Sequence, residues 1–249
     1  MENKNFHFYA VIIGTEILNG RREDKHFKFL KEELAKYDHE LFASFVLKDD
    51  ATLMKNIYTL IKDDPKGVLF SFGGIGSTPD DLTREVASEV FTNQPPLTHP
   101  QFKKDIIERF EEEAYPHRIF MADIPVGSKL LHNPINNMSG FSLEDRYFFT
   151  PGFPSMAHPM VKDVIATYFY HNAEKKHRLT LLAQTSENTL ISLMQQLPKE
   201  IELSSLPMFI DNNPHVELSL ASQEKQLLQK EFDKFIQMLQ TSQILYKIL

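Results

Sequence analysis

Residues Val68–Arg84, which read VLFSFGGIGSTPDDLTR, constrain the fold more than any other stretch of the chain. Val68–Phe72 is a short, uncharged, largely β-favouring run, as expected of a strand buried on both faces of a parallel sheet. Gly73, Gly74 and Gly76 follow it, three of only nine glycines in 249 residues. Glycines clustered after a buried strand let backbone approach a ligand that side chains would exclude. Thr78 then reads as a helix N-cap, with Pro79 at the first helical position and Asp81 completing a capping box. Leu82, Val86 and Val90 recur at four-residue spacing behind it. Strand, glycine loop and helix start, in that order, are how α/β proteins hold phosphates with free N–H groups and the positive helix end.

Two well-known phosphate loops are absent. A Walker loop needs Gly-Lys-Ser/Thr, and a dinucleotide fingerprint needs a third glycine where Pro79 stands. Asp81 has two readings: a helix cap, or, with Asp80, a carboxylate for a divalent cation, sugar hydroxyls or a heterocycle.

Strand–helix alternation runs through the first 170 residues. Phe6–Ile13, Leu41–Leu47 and Val68–Phe72 read as buried strands. A helix with Phe27, Leu30 and Leu34 inward follows the first, and one begun by Asp49–Asp50 with Leu53, Ile57, Leu60 and Ile61 inward follows the second. Such alternation predicts a doubly covered α/β sheet with its sites at the carboxyl ends of the strands, where Glu16, Asp49 and Asp80–Asp81 all fall. Thr92–Pro100 is a proline-punctuated connection before a helix carrying Phe102, Ile106 and Phe110, and Glu111–Glu113 read as a solvated face. Ser128–Leu131, Gly140–Leu143 and Arg146–Phe149 read as short strands, the last two forming a hairpin through Glu144–Asp145. Pro151-Gly152-Phe153-Pro154 breaks regular structure ahead of a helix with Met160, Val164, Ile165 and Tyr168 inward.

Composition changes at the polar stretch 172–177, which reads as a linker and divides the chain into 1–172 and 173–249. Beyond it the pattern is strand 178–184, helix 187–197, strands 201–210 and 215–221, then helix 223–241, a small α+β unit of ferredoxin-like order. None of its residues form a constellation that suggests catalysis. His99, His117, His132, His158 and His215 show no ligand spacing and read as surface or capping residues. Neither a Gly-x-Ser-x-Gly elbow nor a cysteine is present, which leaves carboxylates, backbone amides and a bound cation as the available chemistry.

A net charge of −7 without a basic run argues against nucleic acid as a partner. Phe6–Ile13 is too short and aromatic for a signal-peptide core and no segment approaches transmembrane length, so neither export nor a membrane is expected. Zero cysteines fit a cytoplasmic setting.

Four motifs together resemble the MoaB/Mog molybdopterin-binding family, in the version found in the N-terminal part of the CinA (competence/damage-inducible) proteins. Gly73–Thr83 is similar to the family's Gly-Gly-Leu-Gly-Pro-Thr-x-Asp-Asp-x-Thr, Gly14–Gly20 to its Gly-Thr-Glu-Leu-Leu-x-Gly, Asp49–Asp50 to its Asp-Asp turn, and Thr150–Ser155 to its Leu-Pro-Gly-x-Pro-Ser loop. The resemblance implies a three-layer α/β/α domain, followed by the small α+β domain. It implies that Gly73, Gly74, Gly76, Ser77 and Thr78 cradle a phosphate, with Thr15, Glu16, Asp80, Thr83, Pro151 and Gly152 lining the same pocket. Asp81 and Asp49 would act as catalytic groups at the reacting phosphate or hold its Mg²⁺ or another divalent cation.

The family precedents imply a small-molecule nucleotide or pterin as partner. One is a metal-dependent pyrophosphatase acting on an ADP-ribose-like substrate; the alternatives are a non-catalytic molybdopterin- or nucleotide-binding module and a molybdopterin adenylyltransferase. A homo-oligomer, dimer or trimer, is also implied. The pattern departs from the family at Ser77, at Lys25–His26, at Asn136, where a glycine is usual, and at Met156, where a glutamate is usual. The chain ends before an amidase domain of the full-length CinA type, so that activity is not expected.

Overall fold

The computed structural model describes residues 6–170 and 176–249, which fall in two compact units, Met1–Ala173 and Glu174–Leu249. Of the stretch read as a linker, residues 172–175 lie outside the described residues.

The first unit is built on a six-stranded sheet. Its strands are β1 (His7–Ile13), β2 (Leu41–Leu47), β3 (Gly67–Phe72), β6 (Lys129–Leu131), β7 (Gly140–Leu143) and β8 (Tyr147–Thr150), in the order β2-β1-β3-β8-β7-β6. β2, β1, β3 and β8 are mutually parallel, while the β7–β8 and β6–β7 pairs are antiparallel. A two-residue ladder, β4 (Leu97–Thr98) with β5 (Asp123–Ile124), lies within the proline-punctuated connection and its return, and no strand pattern there announces it.

Both faces of β1 are buried, as parallel pairing beneath helices requires: Tyr9, Val11 and Ile13 enter one core, Phe8, Ala10 and Ile12 the other. The first core is closed by α3 (Ala51–Asp63), α4 (Thr83–Ala87) and α5 (Pro100–Phe110). The second is closed by α2 (His26–Ala35) and α6 (Pro154–Tyr168). Three layers result. Removing a fully buried ring such as Phe70 would cost about 3–5 kcal/mol through lost transfer energy and the cavity left behind.

Three helical readings need correction. In α3 the inward side chains are Met54, Tyr58 and Ile61, whereas Leu53 and Leu60 are exposed; the Tyr58 hydroxyl bonds the buried Ser71 of β3 at 2.8 Å and fixes the helix phase. In α2 Phe27 is exposed, while Leu30 and Leu34 are fully buried in the core and Phe29 packs against it. Thr78 does not cap a helix, because Thr83 N–H pairs with the Gly74 carbonyl at 2.9 Å and folds the intervening residues into a turn. α4 therefore starts at Thr83 and passes into a wider π turn over Ser88–Thr92.

The second unit has a four-stranded antiparallel sheet of order β10 (Glu202–Ile210), β11 (Asn213–Ser222), β9 (His177–Ala183), β12 (Tyr246–Ile248). With α7 (Ile191–Met194) and α8 (Lys225–Thr241) this is the ferredoxin-like β-α-β-β-α-β order. β12 completes it and was not read from the sequence. The expected helix over 187–197 is a 3₁₀ turn, Glu187–Thr189, followed by the one-turn α7. Its start is diverted by side-chain bonds, Thr185 to Thr189 and Ser205 to the Glu187 carboxylate, which compete with helical pairing. No helix of the described residues is long and apolar enough to cross a membrane.

Candidate functional site

The order β2-β1-β3 contains a switch point. The chain leaves β1 for α2 on one face of the sheet and leaves β3 for α4 on the other, and the carboxyl ends of strands at such a point are where open α/β sheets take their ligands. Contacts then run in a line across four neighbouring strands. Asp49, after β2, accepts from Thr15 N–H at 3.0 Å and Thr15 Oγ1 at 2.8 Å, after β1. Gly73, after β3, abuts the end of β1 so closely that a Cβ would lie 2.6 Å from the Ile13 carbonyl oxygen. Gly152, after β8, would place a Cβ 3.3 Å from Gly73 Cα, and Gly73 N–H donates to the Thr150 carbonyl at 2.9 Å.

The glycine loop is held from below. Gly73 and Gly74 have φ of +99° and +68°, values that favour glycine, and the buried Thr83 donates its hydroxyl to the Gly73 carbonyl at 2.9 Å. A Cβ on Gly74 would meet that hydroxyl oxygen at 2.3 Å, and one on Gly76 would meet Asp81 Oδ2 at 2.6 Å. Among the hydrogen bonds of the described residues, none uses the N–H groups of Gly74, Ile75, Gly76 or Ser77. Of the other residues expected to cradle a phosphate, Gly73 has its N–H paired with the Thr150 carbonyl and Thr78 has its N–H paired with Asp81 Oδ2 at 2.8 Å.

Asp81 also accepts the Thr78 hydroxyl at 2.6 Å, again on Oδ2. It closes a turn, not a helix. Asp80, beside the same hydroxyl, is held below the usual carboxylate range, by that hydroxyl first and by a backbone N–H second. Asp50, by contrast, has a purely structural partner, capping α3 through Leu53 N–H at 2.8 Å. Both bonds to Asp49 and both to Asp81 fall on one oxygen of each carboxylate, which leaves the other oxygen for a cation or water. Among the described residues no three His, Asp or Glu side chains converge to hold a metal by themselves. Asp49 follows β2 and Asp81 follows β3, with β1 between those strands, and a carboxylate oxygen left free is the kind of donor that Mg²⁺ takes together with phosphates and water.

Three neighbours of these loops, Arg84, His26 and His158, were not read as site residues from the sequence. Arg84, half-buried, donates from Nη1 to the Gly76 carbonyl. Burial lowers its pKa, while Asp81, Glu85 and Asp123 act in the opposite direction. Nothing in the spacing marks it, because its role depends on where α4 begins. Buried His26 stacks on Phe72 at 4.3 Å and bonds the Gly152 carbonyl through Nε2 at 3.2 Å. Its pKa is lowered, mainly by burial. His158 corrects the reading of a surface histidine: its ring stacks on Phe29 at 3.7 Å and meets His26 edge-on at 5.3 Å. Burial pushes its pKa down to about 4, helped by His26 and Lys162 and opposed by Asp24. Glu16, Arg22, Asp24, His26 and Gly152 line a cleft continuous with the β1 loop.

A family model described as a probable molybdopterin binding domain matches residues 9–171. The chain belongs to this molybdopterin-binding domain family. Among curated relatives, a CinA-like protein of Acaryochloris marina is 31% identical over 166 residues, 64% of this chain and 39% of that protein. A putative competence-damage inducible protein of Caldanaerobacter subterraneus is 26% identical over 212 residues, 83% of this chain and 49% of its own. The chain thus spans about two fifths to one half of the length of these relatives. Among solved structures, the protein CinA with unknown function from Thermoplasma acidophilum aligns with a TM-score of 0.58 at 22% identity, covering 64% of this chain and 97% of that one. That likeness shows that the part of the chain it covers shares the fold of that CinA protein.

Proposed function

We propose that this molybdopterin-binding domain holds the phosphate of a small adenine nucleotide or pterin at the carboxyl ends of β1 and β3, and that it hydrolyses a phosphoanhydride of the ADP-ribose kind. The observation that carries this reading is the set of four N–H groups, residues 74–77, without a hydrogen-bond partner among the described residues, in the loop that begins where Gly73 and Gly152 meet. Backbone amides fixed in this way hold phosphate oxygens without reorganising, which is worth most where charge develops. Asp49 and Asp81, each with one oxygen uncommitted, would hold a divalent cation together with the ligand's phosphates. When bound, that cation neutralises charge on the phosphate and lowers the pKa of a water. Thr15 and Thr78 orient the two carboxylates, and Arg84 steadies the loop through the Gly76 carbonyl.

The test is to incubate the protein with ADP-ribose and Mg²⁺ and follow AMP release, with Asp49→Asn and Asp81→Asn alongside. Folded variants slowed on the order of a hundredfold or more support metal-assisted hydrolysis. A wild type that releases no AMP with Mg²⁺ or Mn²⁺ contradicts it. If Asp81 serves only its turn, Asp81→Asn costs about 1 kcal/mol or less of stability and leaves the rate intact. A second reading, a binding or adenylating module for molybdopterin, is favoured by the hydrogen bonds that already occupy both carboxylates, Asp49 with Thr15 of the β1 loop and Asp81 with Thr78 of its own. It predicts a melting shift with a pterin phosphate in the absence of hydrolysis.

A further inference from the structure

The phosphate cradle leaves open what recognises the rest of the ligand. Phe153 stands between Gly152 and Pro154, which line the same cleft as Glu16 and Arg22, and is 52% exposed despite its size. Its backbone is pinned, since its carbonyl accepts from Met156 N–H at 3.0 Å and Ala157 N–H at 2.9 Å, and Pro154 locks the first residue of α6. The Arg22 guanidinium lies over this ring, 5.2 Å from its centroid. Arg22 belongs to the β1 loop: its N–H donates to the Glu16 carbonyl at 3.0 Å and Nη1 reaches Glu16 Oε1 at 3.4 Å. A rigid exposed phenyl face thus meets a mobile-stemmed guanidinium and a carboxylate where the loops after β1 and β8 converge.

We propose, building on the phosphate-binding reading above, that Phe153 and Arg22 form the subsite for the planar heterocycle of the ligand. The ring stacks on Phe153, the guanidinium plane covers its other face, and Glu16 accepts a hydrogen bond from a ring N–H or a sugar hydroxyl. Stacking of this kind tolerates different ring systems, because every base or pterin has a π face, while a phosphate sugar without a ring gains nothing from it.

The chain contains no tryptophan, so Phe153→Trp places the single indole of the protein at this point. Emission of this variant is titrated with AMP, ADP-ribose and ribose 5-phosphate in Mg²⁺. Calorimetry of wild type and Phe153→Ala with the same three compounds and with a pterin phosphate runs in parallel. The proposal predicts saturable quenching by AMP and ADP-ribose and none by ribose 5-phosphate. Phe153→Ala should weaken ring-bearing ligands on the order of tenfold, raise KM rather than lower kcat, and leave ribose 5-phosphate unaffected. Undiminished binding of every ring-bearing ligand to Phe153→Ala, with flat emission from Phe153→Trp, would overturn the subsite while the phosphate cradle stood. Absence of binding by all four compounds to the wild type would overturn both readings together.

Discussion

The two units use glycine in opposite ways. All nine glycines lie in residues 14–152, and the second unit has none. Its hairpin between β10 and β11 turns through Asp211 and Asn212, both at positive φ, and Gln243 takes a third such position. The first unit also makes a hairpin without glycine, through Glu144 and Asp145 at φ of 55° and 52°. Turning the chain therefore does not require glycine in this protein. Five of the nine, Gly14, Gly73, Gly74, Gly76 and Gly152, stand where a Cβ would meet a neighbouring atom of the loops at the strand ends. Sheet topology explains the contrast. A parallel sheet sends its strand ends to one edge, where loops must pass close together, whereas the antiparallel sheet of the second unit joins β10 to β11 by a hairpin and its other strands through α7 and α8.

The largest effect that would break this comparison is at Gly73. Gly73→Ala sets a Cβ 2.6 Å from the Ile13 carbonyl at a φ of +99°, and a cost of roughly 3 kcal/mol or more is expected from clash and strain together. Denaturant unfolding would measure it, and a loss under 1 kcal/mol would show that the loop junction is looser than described. Next comes Arg84→Met, which keeps the apolar stem and removes the bond to Gly76. Phosphate-ligand affinity should fall on the order of tenfold while the melting midpoint drops by only a few degrees. Unchanged affinity would separate Arg84 from the cradle.

A pH effect is smaller. The His158 pKa is about 4 in the fold and about 6.5 in the unfolded chain, so between these values the unfolded state holds a proton that the folded state lacks. Stability is full above pH 6.5 and falls as the pH drops towards 4, by roughly 1–2 kcal/mol once screening of a half-exposed ring is allowed for. His26 pulls in the same direction. Melting scans across this range should show the slope, and His158→Phe, which keeps the stack on Phe29, should flatten it. The smallest effect belongs to the second unit. Asn212→Gly relieves a φ of 61° and should shift stability by about 0.5 kcal/mol or less, with no effect on ligand binding.

Much of this was legible in the sequence because it depended on local pattern. Uncharged runs marked β1, β2 and β3, and glycines after them marked the loops. What escaped depended on partners distant in sequence. The start of α4 is set by Thr83 reaching back to Gly74, the phase of α3 by Tyr58 reaching Ser71, and the burial of His158 by Phe29 and His26. β12 is three residues long and exists only because β9 offers a free edge. Arg22 and Phe153 lie 131 positions apart and are joined only by the fold.

Backbone amide exchange, followed by mass spectrometry in the presence and absence of ADP-ribose with Mg²⁺, tests the central claim most directly. The account predicts slowed exchange in peptides covering residues 74–77, with weaker protection at 14–16 and 151–153, and no change from residue 177 to the end of the chain. Binding that protects the second unit, or that leaves residues 74–77 exchanging as fast as in the free protein, would contradict it.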